Sequence, residues 1–345
     1  MDASLEKDKG KVRLEWLDLG KAAGILVVLL VHAGCTGGPA TFYGGMFYMP
    51  VFFVAAGYTY RCREDETYGA YLKKRARRLL LPYFGTSAFL WLFFWIKDSV
   101  LPGRFSDLKP LSVLGILYSR NQMHTAAYAG ENPVLLNILN APLWFLTAMF
   151  LTCAWYGLIS RSRKKYLLLA LGALLSVLWH WGTGWLLPWS ADAVPYFACF
   201  FAAGEALKGK KAERFLCELW ILGLLLVVFL TVSRLNGSMN LSNGDYGHSM
   251  LLGLISGVSG SLLVFAAGMC LERKLPAVSR RIACVGQETL VILCFHMFLF
   301  MFLRAGAVLA GLGEGLTKAV LVAGSLILLT GAGWLRRVRT AGRRC

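Results

Sequence analysis

The chain has 345 residues, of which 57% are apolar and only 16% charged, and it carries a formal net charge of +17. A soluble protein of this length has about a quarter of its residues charged, so disorder, a collagen-like fibre and a water-soluble enzyme are excluded, and the chain is read as an integral membrane protein. The charge is not a nucleic-acid footprint, because Lys and Arg fall in short clusters between apolar runs and not on one exposed element. Nine Cys are scattered, mostly inside apolar runs, with no CxxC pair. That pattern fits neither a disulfide framework nor a metal site.

Runs of ~20 mostly apolar residues mark membrane-spanning helices. Ten are predicted, near 18–35, 45–60, 79–98, 142–160, 166–187, 192–207, 217–235, 248–271, 288–305 and 318–335. The fold class expected is therefore an all-α polytopic bundle, a single membrane-embedded domain over 1–345. It is flanked by an N-terminal segment at about 1–17 and a basic tail at about 336–345. The first apolar run lacks a small-residue cleavage site and is read as a retained signal anchor. With the N-terminus inside, alternating segments place 29 of the 36 Lys and Arg on the inner side and seven on the outer. Positive charge accumulates on the cytoplasmic side of membrane proteins, so both termini are expected there. The long outer segment 99–141 is too broken by Pro, Gly and Asn to span. Like the polar, Gly-rich loop 236–247, it is a candidate contact for an extracytoplasmic ligand.

A titratable side chain inside a span costs about 2.5–3.5 kcal/mol on insertion scales, which makes each one a candidate for function. The first span is the richest, with Arg13, Asp18 and Lys21 at its inner edge and His32 toward its outer half. Eleven residues separate Lys21 from His32, so at 3.6 residues per turn they differ by about 20° around the axis and ~16 Å along it. Asp18 stands one turn before Lys21 and can pair with it. Asp18 and Lys21 equally suit interfacial snorkelers, and His32 suits a hydrogen-bonded packing residue. The stretch after it, Ala-Gly-Cys-Thr-Gly-Gly-Pro, is too small to shield the imidazole by bulk. His296 lies mid-span among apolar neighbours and fits a satisfied core histidine as well as a catalytic one. His180, in WHWGTGW, reads as an interfacial belt residue. The basic run Lys73-Lys74-Arg75-Ala76-Arg77-Arg78 before the third span is explained by topology alone. It also offers planar donors to phosphate oxygens.

Four ordered segments together resemble the acyltransferase-3 family of membrane acyltransferases, in particular its fucose 4-O-acetylase-like branch. They are Arg13-x2-Trp16-Leu-Asp18-x2-Lys21-x10-His32; Phe47-Tyr-Met-Pro50 through Gly57-Tyr58, followed by Arg75-x2-Arg78-Leu-Leu-Leu-Pro82-Tyr83; Pro142-Leu-Trp144-Phe-Leu; and Gly286-Gln-Glu-Thr289-Leu-x5-His296. The chain departs from the common family pattern at Lys21, where Arg is frequent, at Tyr48, where His is, and at Ala56, where Ser is.

The resemblance implies an O-acyltransferase of the bacterial cytoplasmic membrane, taking an acyl group, usually acetyl, from cytoplasmic acyl-CoA. The acceptor implied is a hydroxyl of a glycan or lipid-linked glycan at the outer face. In the family the histidine closing the first motif is catalytic, here His32. Asp18, Lys21 and His296 are the further catalytic candidates. Arg13, Arg75, Arg78 and Trp144 are the candidates for holding the acyl-CoA. Trp144 and Trp16 fit either walls of the donor path or belt residues. An imidazole suits removal of a proton from the attacking hydroxyl, although it can also take the acyl group itself. No metal and no nucleic-acid partner are expected. A transporter or flippase is the main rival, though the related halves and interrupted helices common in transporters are not visible. A non-enzymatic scaffold would leave the intramembrane charges without a purpose.

Overall fold

The structure, a computed structural model, describes residues 13–61, 65–100, 112–125 and 141–342, with side chains up to 335. The expected N-terminal segment up to residue 12, much of the outer segment 99–141 and the side chains of the basic tail lie outside the described residues. Fourteen α-helices run in order through these residues: α1 Glu15–His32, α2 Pro39–Phe47, α3 Pro50–Thr59, α4 Tyr68–Val100, α5 Ser112–Tyr118, α6 Trp144–Ile159, α7 Lys165–Thr183, α8 Val194–Ala206, α9 Lys210–Leu216, α10 Leu219–Asn236, α11 Met250–Lys274, α12 Pro276–Gln287, α13 Thr289–Leu309 and α14 Glu314–Gly342. Local sequence sets many of the boundaries. Proline opens α2, α3 and α12 and stands in the first turn of α8, where its missing N–H leaves no bond unmade. The Ser249 side chain accepts from the Leu251 amide to cap α11, and Gly184 ends α7 with φ 67°.

Among the described residues, eight helices are long and apolar enough to cross a bilayer, α2 and α3 counting together as Pro39–Thr59. Two expected crossings fall outside that criterion for opposite reasons. α1 carries Glu15, Asp18 and Lys21 within 18 residues. α8 has 13 residues, a rise of only ~20 Å. Both lie in the middle of the protein, where neighbouring helices replace lipid and length need not match the ~30 Å hydrocarbon core. In α8 the side chains of Phe197, Ala198, Phe200 and Phe201 are fully buried.

The helix ends meet as alternating crossings require. At one end, Tyr60 Oη lies 2.5 Å from Ser160 Oγ, the Tyr68 hydroxyl donates to the Ala154 carbonyl, and Lys165 pairs with Glu205. At the other, the 112–125 segment bonds to 185–192. These two groups are the segments predicted inside and outside. α4 has 33 residues, a length of ~50 Å, so its basic first turns extend beyond the hydrocarbon layer.

Two elements carry more structure than expected. The inner segment at 273–287 forms α12, which presents Arg280 and Arg281 outward and lies against α1. Its Gly286 is the reason for the fit, since a Cβ there would run into the Asp18 carbonyl. Loop 236–247, a candidate ligand contact, turns part of its chain inward: Asn236, Leu241 and Tyr246 are buried, the Asn236 side-chain amide donates to the Tyr246 carbonyl, and Ser238 and Asp245 stay exposed.

α3 and α8 approach backbone to backbone. A Cβ on Gly57 would strike the Phe201 carbonyl, and one on Gly204 the Val54 carbonyl, the close small-residue contact that drives helix association in membranes. Gly57→Ala is expected to destabilise the protein by about 1–3 kcal/mol through overpacking. The check is a lowered midpoint of thermal unfolding in detergent, with Gly85→Ala, where a Cβ meets nothing within 4 Å, as the control.

Candidate active site

α1 carries two clusters, one at each end. At the inner end the Asp18 carboxylate is 4% exposed and uses both oxygens: Oδ1 lies 2.5 Å from Lys21 Nζ and Oδ2 lies 2.6 Å from Arg13 Nε. Arg13 is half exposed and Lys21 a quarter exposed. The Arg78 guanidinium is close enough to act on the Lys21 ammonium. One buried carboxylate thus gathers cations that outnumber it, leaving positive charge directed outward. The start of α1 is fixed by neighbours, with the Trp16 amide donating to Glu272 Oε2 at 3.1 Å and Ser279 Oγ donating to Glu15 Oε2 at 3.2 Å.

Beside this cluster, Ala70, Lys73, Lys74, Arg77 and Arg78 line an open groove of about 410 Å³. Arg75 turns the other way. Its guanidinium lies over the Tyr71 ring at 5.1 Å, and its Nε is buried without a hydrogen-bond partner. Arg13, Arg75 and Arg78, expected together, are therefore on one end of the protein, with Arg75 half-buried and Arg78 exposed at the groove.

At the outer end of α1, His32 Nδ1 lies 2.9 Å from the Val28 carbonyl and 3.3 Å from His296 Nε2. The fully buried His296 holds its own Nδ1 2.8 Å from the Ile292 carbonyl. A carbonyl only accepts, so both Nδ1 atoms carry hydrogen in the neutral pair. His296 Nε2 then presents a lone pair to His32 Nδ1–H, and His32 Nε2 keeps a free lone pair. The two histidines, 264 residues apart, are brought together by the packing of α13 on α1.

Trp144 opens α6 at the outer end and is buried in the core against Phe145 and Phe197. Trp16 is likewise a core residue, edge-on to Tyr58 at 4.9 Å and Phe265 at 5.4 Å, so it is no belt residue. His180, read as a belt residue, packs edge-on against the buried Tyr246 at 4.9 Å.

A third cluster has no counterpart in the sequence reading. Arg120, fully buried, pairs with Asp192 at 2.5 Å, and Asp192 also accepts from the Leu187 amide at 3.0 Å. Burial pushes the neighbouring Tyr246 phenol up, with the Asp192 charge adding to the effect. Non-glycine residues with left-handed backbone stand on both sides of this pair: Ser119 at φ 55°, Trp189 at 57° and Ser190 at 59°. Nothing local in the sequence pairs residues 120 and 192. The signal is only that each sits in a loop between apolar runs.

The chain matches a family described as an acyltransferase domain over residues 14–335. No curated protein and no solved structure matches it. The matched stretch takes in every helix from α1 to the membrane part of α14, and with it both ends of α1 and the histidine pair. On that coverage the chain belongs to the acyltransferase-3 family and is a membrane acyltransferase.

Proposed function

We propose that the protein moves an acyl group, acetyl in keeping with the acetylase-like branch, from cytoplasmic acyl-CoA to a hydroxyl of a cell-envelope or exported glycan, within the bacterial cytoplasmic membrane. The observation that carries the reading is the pairing of His32 with His296 at one end of α1, while the Arg13–Asp18–Lys21 cluster occupies the other. A nucleotide-bearing donor needs cations for its phosphates, and the excess of Arg and Lys around Asp18 and along the 73–78 groove supplies them. The ~16 Å between Lys21 and His32 along α1 is the span the pantetheine arm would bridge to bring its thioester to the imidazole.

Transfer then follows from the protonation states. The acceptor hydroxyl oxygen attacks the thioester carbonyl as His32 Nε2 takes the hydroxyl proton. The imidazolium formed keeps its Nδ1–H on the Val28 carbonyl and His296 Nε2, which hold the ring and spread its charge. The tetrahedral intermediate collapses by breaking the carbon–sulfur bond, and His32 returns the proton to the departing thiolate. His296 is a positioning residue in this scheme, playing the part that a carboxylate plays behind the histidine of a hydrolase triad.

The test uses membrane vesicles containing the protein and acetyl-CoA labelled in the acetyl group, with label followed into glycan and lipid-linked fractions. Incorporation by the wild type and its loss in His32→Ala support the reading. No incorporation by either, with donor shown to reach the protein and several envelope acceptors offered, would move the assignment to another acyl donor or acceptor class. In the same assay Arg78→Ala is expected to raise the KM for acyl-CoA by about 10–100-fold, the value of a charge-assisted hydrogen bond, with kcat little changed. An unchanged KM would remove Arg78 from the donor site.

A further inference from the structure

The thiols in this chain are not all disposed alike. Cys199 and Cys284 donate to the carbonyls four residues back, at Pro195 and Arg280, the ordinary arrangement for a cysteine within a helix. Cys217 stands at the corner between α9 and α10 and is aimed across to α11. Its Sγ lies 3.6 Å from Met269 Sδ, and its thiol also interacts with that of Cys270. Two thiols and a thioether therefore converge at the inner end of α11. Both cysteines are free and half-exposed, while Met269 is buried. The Arg273 guanidinium lies within electrostatic reach of Cys217.

We propose that Cys217, Cys270 and Met269 form a binding site for a soft monovalent metal ion, Cu(I) in chemical class. Thiolate and thioether sulfur select such ions over the harder divalent cations. With metal–sulfur bonds of ~2.3 Å, as for thiolate ligands generally, two sulfurs sharing one ion stand roughly 3.8–4.0 Å apart. The observed 3.6 Å between Cys217 and Met269 is a few tenths of an ångström inside that separation, which a small side-chain rotation would open. Three sulfurs suit a trigonal ion, whereas a structural zinc site takes four ligands. Binding replaces the two thiol protons, which pass to solvent. The resulting centre of one cation and two thiolates carries a single negative charge, and Arg273 offsets it. No change of oxidation state is involved.

The location gives the site a route to the transferase. Met269 stands one turn before Glu272 on the same face of α11, and the Glu272 carboxylate accepts the Trp16 amide at the start of α1. An ion held there sits at the joint that fixes the donor-side end of the helix carrying Asp18, Lys21 and His32.

The experiment titrates the full-length protein in detergent, anaerobically and under reductant, against Cu(I) held by the chromophoric chelator bicinchoninate. The wild type is expected to withdraw one equivalent that Cys217→Ser and Cys270→Ser each fail to withdraw. Met269→Leu, which keeps the volume and removes the sulfur, is expected to weaken binding by about tenfold or more, the scale on which metal-site partners are felt. Cys199→Ser is expected to leave the titration unchanged. Circular dichroism on each variant separates loss of the site from loss of the fold. A wild type that withdraws no copper, or folded Cys217→Ser and Cys270→Ser proteins that withdraw as much as the wild type, would overturn the proposal.

Discussion

Replacing His32 by alanine is expected to lower acyl transfer by about 10²–10⁴-fold, the contribution of a positioned general base, while the protein still inserts and folds. The fold should tolerate the change because the ring sits at the end of α1, partly exposed, and is tied down through Nδ1 alone. His296→Phe should give a smaller loss. That variant leaves the base in place and removes only the lone pair behind it, so kcat falls while the KM for acyl-CoA holds. The split between the two substitutions separates chemistry from packing, since a purely structural role for His296 would lower the amount of folded protein and leave kcat per folded molecule intact. A folded His32→Ala protein with full transfer would sink the assignment of the base. The measurement is initial rate of label transfer in vesicles, normalised to inserted protein.

Much of the architecture was legible in the sequence because membrane insertion imposes two simple constraints, length and side of charge. Eight of the ten expected crossings meet those constraints among the described residues, while α1 is too charged and α8 too short to pass on length and composition. α12 falls between two expected crossings and carries Arg280 and Arg281 directly after Ser279, so length and charge do not mark it as a packed helix. Only contact with α1 through Gly286 makes it a packed element.

The site divides along the same line. The Asp18–Lys21 pair and the alignment of Lys21 with His32 follow from helical periodicity within one span. The meeting of His32 with His296 does not, because it depends on how α13 packs against α1, and each histidine alone fits a packing residue. Trp144 is marked by its motif, and only the packing of α6 places its ring in the core beside Phe197, at the end of the protein away from Arg75 and Arg78.

The largest stability effect is expected from the pair that periodicity could not reveal. Arg120→Ala should destabilise the protein by about 3–5 kcal/mol, the cost of leaving one member of a buried ion pair uncompensated. Arg120 is fully buried and Asp192 is 5% exposed, so water cannot take the place of the lost guanidinium without opening the loops. The guanidinium is also the nearest thing to a hub at the outer end, pairing with Asp192 while reaching toward the Leu187 and Ser242 carbonyls. Around it, Tyr118 donates to the Leu186 carbonyl and Trp189 Nε1 to the Leu117 carbonyl at 2.7 Å. The left-handed backbone at Ser119, Trp189 and Ser190 costs of order 1–3 kcal/mol at each residue and persists only where the surroundings over-determine it; the ion pair and its hydrogen bonds supply that constraint. Replacing both charges, as Arg120→Met with Asp192→Leu, should therefore recover much of the loss, because no buried charge is then left alone. Thermal unfolding in detergent followed by loss of monodisperse protein distinguishes the cases. A single substitution as stable as the wild type would mean that the pair is solvated in the membrane-bound protein. A double variant no better than Arg120→Ala would mean that the hydrogen bonds to the loop carbonyls, and not the charge, hold the outer segments together.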